Sequence, residues 1–202
     1  MKRLLPRLLP LILALLAFAS CKETEEVGEY DNWQQRNADY ITSIAQTARA
    51  NADGQWRVYR SFKLTEKDIK GNIAVWDDDD YIYCHVEETG AGTTSPLFTD
   101  TVMVNYRGRL MPNNTYPEGR IFDQSFKGEL RPEFNSPTKF SVGGVVVGFS
   151  TALQKMHVGD IWRVYIPAKL GYNASAQTNS GIPAYSTLIF DINLASYYSP
   201  GY

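Results

Sequence analysis

Residues that carry reactive chemistry are scarce in this sequence. It has two histidines, His85 and His157, and two cysteines, Cys21 and Cys84, and no set of them stands at the spacing of a zinc site. A Gly-x-Ser-x-Gly nucleophile elbow and a phosphate-cradling glycine loop are both missing, which removes the hydrolytic and nucleotide-dependent classes built on those motifs. Basic charge is not in excess: 20 Lys and Arg stand against 22 Asp and Glu, a net charge of −2, so there is no electrostatic footprint for a nucleic acid. No apolar run is long enough to cross a bilayer. The longest, Leu8 to Ala19, holds about 12 residues and includes Pro10, against the roughly 20 that a spanning helix needs.

That run has another use. Lys2, Arg3 and Arg7 precede it and small residues close it, the pattern of an export signal over residues 1–20. Phe18-Ala19-Ser20-Cys21 resembles a lipobox, which would make Cys21 an acylated N-terminus and anchor the protein to a membrane of the cell envelope. The outer membrane is the expected one, on its periplasmic or its outer face. Several acyl chains on one residue give stable anchoring, since each buried methylene contributes about 0.8 kcal/mol. An ordinary cleaved signal with an incidental cysteine is the alternative. Residues 21–30, with Lys22-Glu23-Thr24-Glu25-Glu26, read as a solvated tether, either a plain linker or an acidic surface-export signal. With Cys21 lipidated, Cys84 has no partner for a disulfide, and its alternation with Ile82 and Val86 predicts a buried apolar role.

Residues 31–80 form an N-terminal extension. Ile41, Ile44, Ala45 and Ala48 fall on one face of a helix over about 31–52, capped by Asp31 or Asn32 and stopped by Asn51-Ala52-Asp53-Gly54. So narrow an apolar stripe must pack on the main domain or on another chain. Trp56, Val58 and Arg60 alternate as in a short strand. Asp77 to Asp80 lack the glycine and spacing of a calcium loop and read as a solvated turn. The two histidines fall on a strand and at a helix end with no evident partner, and a structural role is expected of each.

From Tyr81 the pattern becomes two-fold periodic: Ile82, Cys84 and Val86, then Val102, Val104 and Tyr106, with further strands over 138–142, 161–166 and 187–195. Between them Phe149, Ala152, Leu153 and Met156 recur at helical spacing, with Gly159 placed to end the helix. The fold class is α+β, a twisted antiparallel β-sheet wrapped around one amphipathic helix, over residues 81–197.

The aromatic residues of these strands stand inside recognisable phrases. Val102-Met103-Val104-Asn105-Tyr106-Arg107-Gly108-Arg109-Leu110 and Ile121-Phe122-Asp123-Gln124-Ser125 are followed by Lys139-Phe140-Ser141-Val142 and Val145-Val146-Val147-Gly148-Phe149. Then come Ala152 to Asp160, Ile166-Pro167-Ala168-Lys169-Leu170-Gly171-Tyr172, Gly181-Ile182-Pro183 and Leu188 to Leu194. In this order the set resembles the FKBP-type peptidyl-prolyl isomerases from about Tyr81 to Ala195.

The resemblance implies a catalytic set of Asp123, Tyr172, Phe140 and Tyr106. It implies a substrate-binding set of Phe122, Val145, Val146, Phe149, Ile182 and Phe190, with proline-containing polypeptides as substrates, macrolide inhibitors as ligands, and no cofactor or metal. The implied function is to assist the folding of exported proteins. The pattern departs from the family where Phe149 replaces the tryptophan that floors the pocket, Asn173 a glycine and Ala184 a second proline, and the segments 112–119 and 126–137 are longer. A proline-peptide-binding or chaperone module that keeps the groove without turnover is the alternative.

Overall fold

The computed structural model describes residues 28–65, 67, 71–72 and 74–199. The export signal, the lipidation site Cys21 and most of the tether over 21–30 lie outside the described residues.

Helix α1 spans Trp33–Ala50, with Asn32 and Asn51 in left-handed backbone at its two ends. The Asn51 side chain accepts a 2.8 Å hydrogen bond from the Trp56 N–H, so the residue that stops the helix also starts strand β1, Trp56–Arg60. Trp33, Asn37, Ile41, Ala45 and Ala48 are its buried face. Of the two partners open to this stripe, the main domain is the one it uses: Ile41, Ala45 and Ala48 pack on Tyr83, flanked by Trp56, Val58 and Tyr165. Burial of Trp33 and Ile41 contributes roughly 1.5–3 kcal/mol each, enough to hold a helix that nucleates poorly alone.

The remaining strands are β2 (Tyr81–Glu88), β3 (Thr101–Leu110), β4 (Ile121–Gln124), β5 (Thr138–Ser141), β6 (Ile161–Ile166) and β7 (Leu188–Tyr198). They form one antiparallel sheet in the order β1-β2-β6-β7-β3-β4, with β5 also paired to β3. Alternation assigns its faces. Ile82, Cys84 and Val86 join Trp162, Val164, Phe190 and Ile192 in the main core, whereas Tyr83 points the other way, to α1. Helix α2 (Val147–Leu153) lies on the main-core face, with Phe149, Ala152 and Leu153 buried. Cys84 is a free thiol with no exposure, and burial pushes its pKa up.

Three expectations need correction. Helix α2 ends at Leu153, short of Met156: the Lys155 and Met156 N–H groups both turn back to the Ala152 carbonyl. Met156 is fully buried all the same, and Gly159, at φ 94°, makes the turn into β6 rather than a helix cap. His85 is not without partners, since its two ring nitrogens lie 3.0 Å from Asp53 and 3.0 Å from Glu87. The Asp77–Asp80 turn is not simply solvated. Asp78–Asp80 form a short 3₁₀ turn, Asp80 is buried, and Lys169 Nζ stands 2.6 Å from its carboxylate.

Candidate active site

The sheet and α2 enclose an aromatic cavity of about 440 Å³. Each wall comes from a different element. Strand β3 places Tyr106 and Gly108 on the core face, β4 supplies Phe122 and Asp123, β5 Phe140, and β7 Phe190. The turn after β5 adds Gly144, Val145 and Val146, helix α2 adds Phe149, and Tyr172 comes from the long loop between β6 and β7.

The rings meet edge to face. Phe149 and Phe190 centroids are 4.9 Å apart at 87°, Phe122 and Phe190 5.5 Å apart at 88°, and Tyr106 and Phe140 5.5 Å apart at 66°. Such pairs are stabilised by ring quadrupoles as well as by burial, so the box is preformed. Gly108 is what lets two of its walls close. A Cβ there would come within 2.5 Å of the Phe122 ring and 2.7 Å of the Phe190 ring.

One polar contact is set into this apolar wall. The Tyr106 hydroxyl donates to Asp123 Oδ2 at 2.7 Å, and Asp123 Oδ1 accepts the Gln124 N–H at 2.8 Å. Burial and then the bond to Asp123 push the Tyr106 pKa up, so this phenol stays a donor and fixes the carboxylate at the rim. Ser125 ties β4 to β3 by accepting the Tyr106 N–H at 2.9 Å, while its own N–H bonds the Tyr106 carbonyl at 2.9 Å. Tyr172 is 37% exposed and stands at the mouth.

Nine of the ten expected site residues therefore line one cavity: Tyr106, Phe122, Asp123, Phe140, Val145, Val146, Phe149, Tyr172 and Phe190. Ile182 does not. It is buried in the core and borders a second, shallower cavity with Tyr30, Tyr116, Arg120 and Pro183, which places the long segment 112–119 beside it. Gly144 is a further lining residue, not among those expected from the sequence. Among the described residues, Asp77, Asp79 and Asp80 are the one group of acids close enough to share a cation, but Lys169 already supplies their positive partner and none of them lines the aromatic cavity.

A cavity with four phenylalanines, two tyrosines and a single carboxylate has no nucleophile and no cation. It can desolvate an apolar ring and orient an amide. Residues 92–195 match the family described as FKBP-type peptidyl-prolyl cis-trans isomerase. The chain is 37% identical over 107 residues to "Macrophage infectivity potentiator" of Trypanosoma cruzi, covering 53% of this chain and 48% of that protein. It is 36% identical over 107 residues to "Outer membrane protein MIP" of Legionella longbeachae, covering 52% and 40%. The chain thus spans less than half the length of these relatives. A solved peptidyl-prolyl cis-trans isomerase from Pseudomonas syringae superposes with a TM-score of 0.54 at 25% identity, over 82% of this chain and 96% of that one.

Proposed function

The chain belongs to the FKBP-type peptidyl-prolyl cis-trans isomerase family, and from that membership we propose that it isomerises X-Pro bonds in exported polypeptides. The observation that carries this reading is the aromatic box with one oriented carboxylate at its rim.

Rotation about a peptide bond faces about 18–20 kcal/mol, because the amide loses its resonance on twisting. The twisted amide has a less polar carbonyl and a more basic nitrogen, so a dry aromatic site favours it over the planar form, which water solvates better. Phe140, Phe149 and Phe190 hold the proline ring. The Val146 N–H and the Tyr172 hydroxyl hold the flanking carbonyls, and Asp123, kept in place by Tyr106, faces the rotating carbonyl. No covalent step is required. A barrier lowered by about 5.5 kcal/mol gives roughly ten-thousandfold acceleration.

The test is turnover of a short proline peptide by the full chain. Asp123→Ala and Phe140→Ala are expected to lower kcat/KM at least tenfold, and unchanged turnover in both sinks the assignment. Peptide binding without turnover in the unmodified protein identifies the binding or chaperone module instead. Phe149 is a smaller floor than tryptophan, so macrolides should bind at this box but weakly.

The proposal extends to location. No helix among the described residues is long and apolar enough to cross a membrane, and attachment is proposed through lipid on Cys21 to the outer membrane, in keeping with the name of the Legionella relative. Incorporation of labelled fatty acid that persists in Cys21→Ser would refute this anchor.

A further inference from the structure

The loop over 167–187 carries Tyr172 near one end and Ile182 near the other, and its internal bonds, the Gln177–Ile182 bridge among them, shape it without tying it to the sheet. Its middle, Ala174-Ser175-Ala176-Gln177-Thr178-Asn179-Ser180, is small and polar and is exposed at every position but Gln177. Its neck is closed by a 2.6 Å bond from the Tyr185 N–H to the Asn173 carbonyl. Both of those residues hold left-handed backbone, at φ 60° and 52°, which a residue as bulky as tyrosine keeps only when its surroundings impose it.

Contacts from Glu29, α1 and the Asp78–Asp80 turn reach both roots of the loop and the Gly181 corner. At the C-terminal root of the loop the Trp33 Nε1–H donates to Ser186 Oγ at 2.9 Å, and that hydroxyl donates in turn to the Pro183 carbonyl at 2.7 Å. Asn37 accepts the Thr187 N–H at 2.7 Å while its amide nitrogen donates to the Trp33 carbonyl at 2.7 Å. All of Trp33, Asn37, Ser186 and Thr187 are buried. At the N-terminal root Lys169 Nζ lies 2.6 Å from Asp80, and the neighbouring Asp78 lies 2.6 Å from Arg49 of α1. Beside Ile182, Arg120 donates to the Gly181 carbonyl and faces Glu29 at 4.0 Å.

A helix docked for stability alone would need only its apolar stripe, and α1 has one, on Tyr83. Trp33 and Asn37 occupy its other end, and the Trp33 indole N–H and the Asn37 side-chain oxygen are committed to the loop. We infer that Glu29, α1 and the Asp78–Asp80 turn brace the loop over 167–187 and set the position of Tyr172 at the cavity mouth, which makes Trp33 and Asn37 positioning residues. The inference rests on the proposed role of Tyr172 in isomerisation.

The test uses the full chain with Trp33→Phe, which keeps a ring and removes the N–H, and with Asn37→Ala. Each is measured with Tyr172 and with Tyr172→Phe, for kcat and KM on a proline peptide and for amide hydrogen exchange. The expected result is kcat/KM about fivefold lower, since misplaced groups lose rate steeply with distance. Exchange over 171–187 is expected to be about tenfold faster, with β3 and β7 unchanged. In the Tyr172→Phe background the same substitutions should cost less than about twofold, because the group they act through is gone. Full additivity with Tyr172→Phe, or unaltered loop exchange, overturns the brace. If Tyr172→Phe alone leaves turnover intact, the catalytic reading of Tyr172 has failed, and loop exchange by itself then decides the brace. Should Asn37→Ala not fold, Trp33→Phe and Glu29→Gln carry the same measurements.

Discussion

Gly108 offers the sharpest test of the aromatic box, because its substitution moves two walls without deleting either ring. An alanine Cβ would sit 2.5 Å from the Phe122 ring and 2.7 Å from Phe190, whereas carbon atoms prefer about 3.5–4.0 Å. The rings must therefore retreat by about 1 Å. Phe190 cannot do so freely, since it is 7% exposed and backed by Phe149 at 4.9 Å. Overpacking of this kind costs about 1–3 kcal/mol of stability, and a 1 Å misplacement of a group that grips substrate costs about ten- to a hundredfold in rate. Gly143→Ala is the matched control. Its Cβ approaches the Phe98 ring at 2.8 Å, but that ring is 46% exposed and can swing away, so stability and rate should hardly change. Urea unfolding and peptide turnover are measured on both variants. If Gly108→Ala stays folded and keeps kcat/KM within about twofold of the parent, Phe190 does not grip the proline ring.

Two further outcomes concern charge. Asp191 accepts from Arg163 at 2.6 Å and from Arg109 at 2.5 Å; burial alone would raise its pKa, but the two guanidinium groups outweigh burial and hold it below the usual carboxylate value. A depressed folded pKa means stability that is present at neutral pH and lost as pH falls below about 4. Asp191→Asn should therefore lower neutral stability by about 2 kcal/mol, limited by the exposure of Arg163, and should flatten the acid decline in urea titrations between about pH 4 and 2. Tyr106→Phe should cost about 1 kcal/mol and lower turnover about tenfold as Asp123 loses its fixed orientation. Because the Tyr106 pKa is raised, its stability contribution is complete below about pH 10 and is lost above it. Tyr40 and Tyr83, raised by burial as well, share that alkaline decline, so the variant should lessen it without abolishing it.

How much of this was legible in the sequence depended on the element. Strands β2, β3, β6 and β7 have one face in the core, and two-fold alternation reports that directly. Strands β4 and β5 hold four residues each with half-exposed patterns; a strand was still expected over 138–142, whereas β4 stood out only through its aromatic phrase. Periodicity detects burial rather than helicity, and for that reason Met156 was correctly expected inside yet wrongly placed on α2. Ile182 was expected at the cavity from its phrase, but the loop turns it into the core beside Tyr116, a matter of backbone path with no local signal. One partner of His85 was hidden for a related reason: Asp53 is distant in sequence and reaches it only because β1 pairs with β2.

The same pairing bears on where the working unit begins. The family match starts at residue 92 and the two-fold pattern at Tyr81, which makes everything earlier look like a spacer. The sheet disagrees, since β1 covers the outer edge of β2, and α1 shields Tyr83, which has no solvent exposure at all. A domain starting at Tyr81 would turn β2 into an exposed edge carrying an uncovered aromatic face, an arrangement prone to association. It would also strip the Thr187 N–H of its acceptor, the Asn37 side chain, and Ser186 of the Trp33 donor. Those two residues end the loop that carries Tyr172, so what α1 stabilises and what it positions are joined in the same contacts.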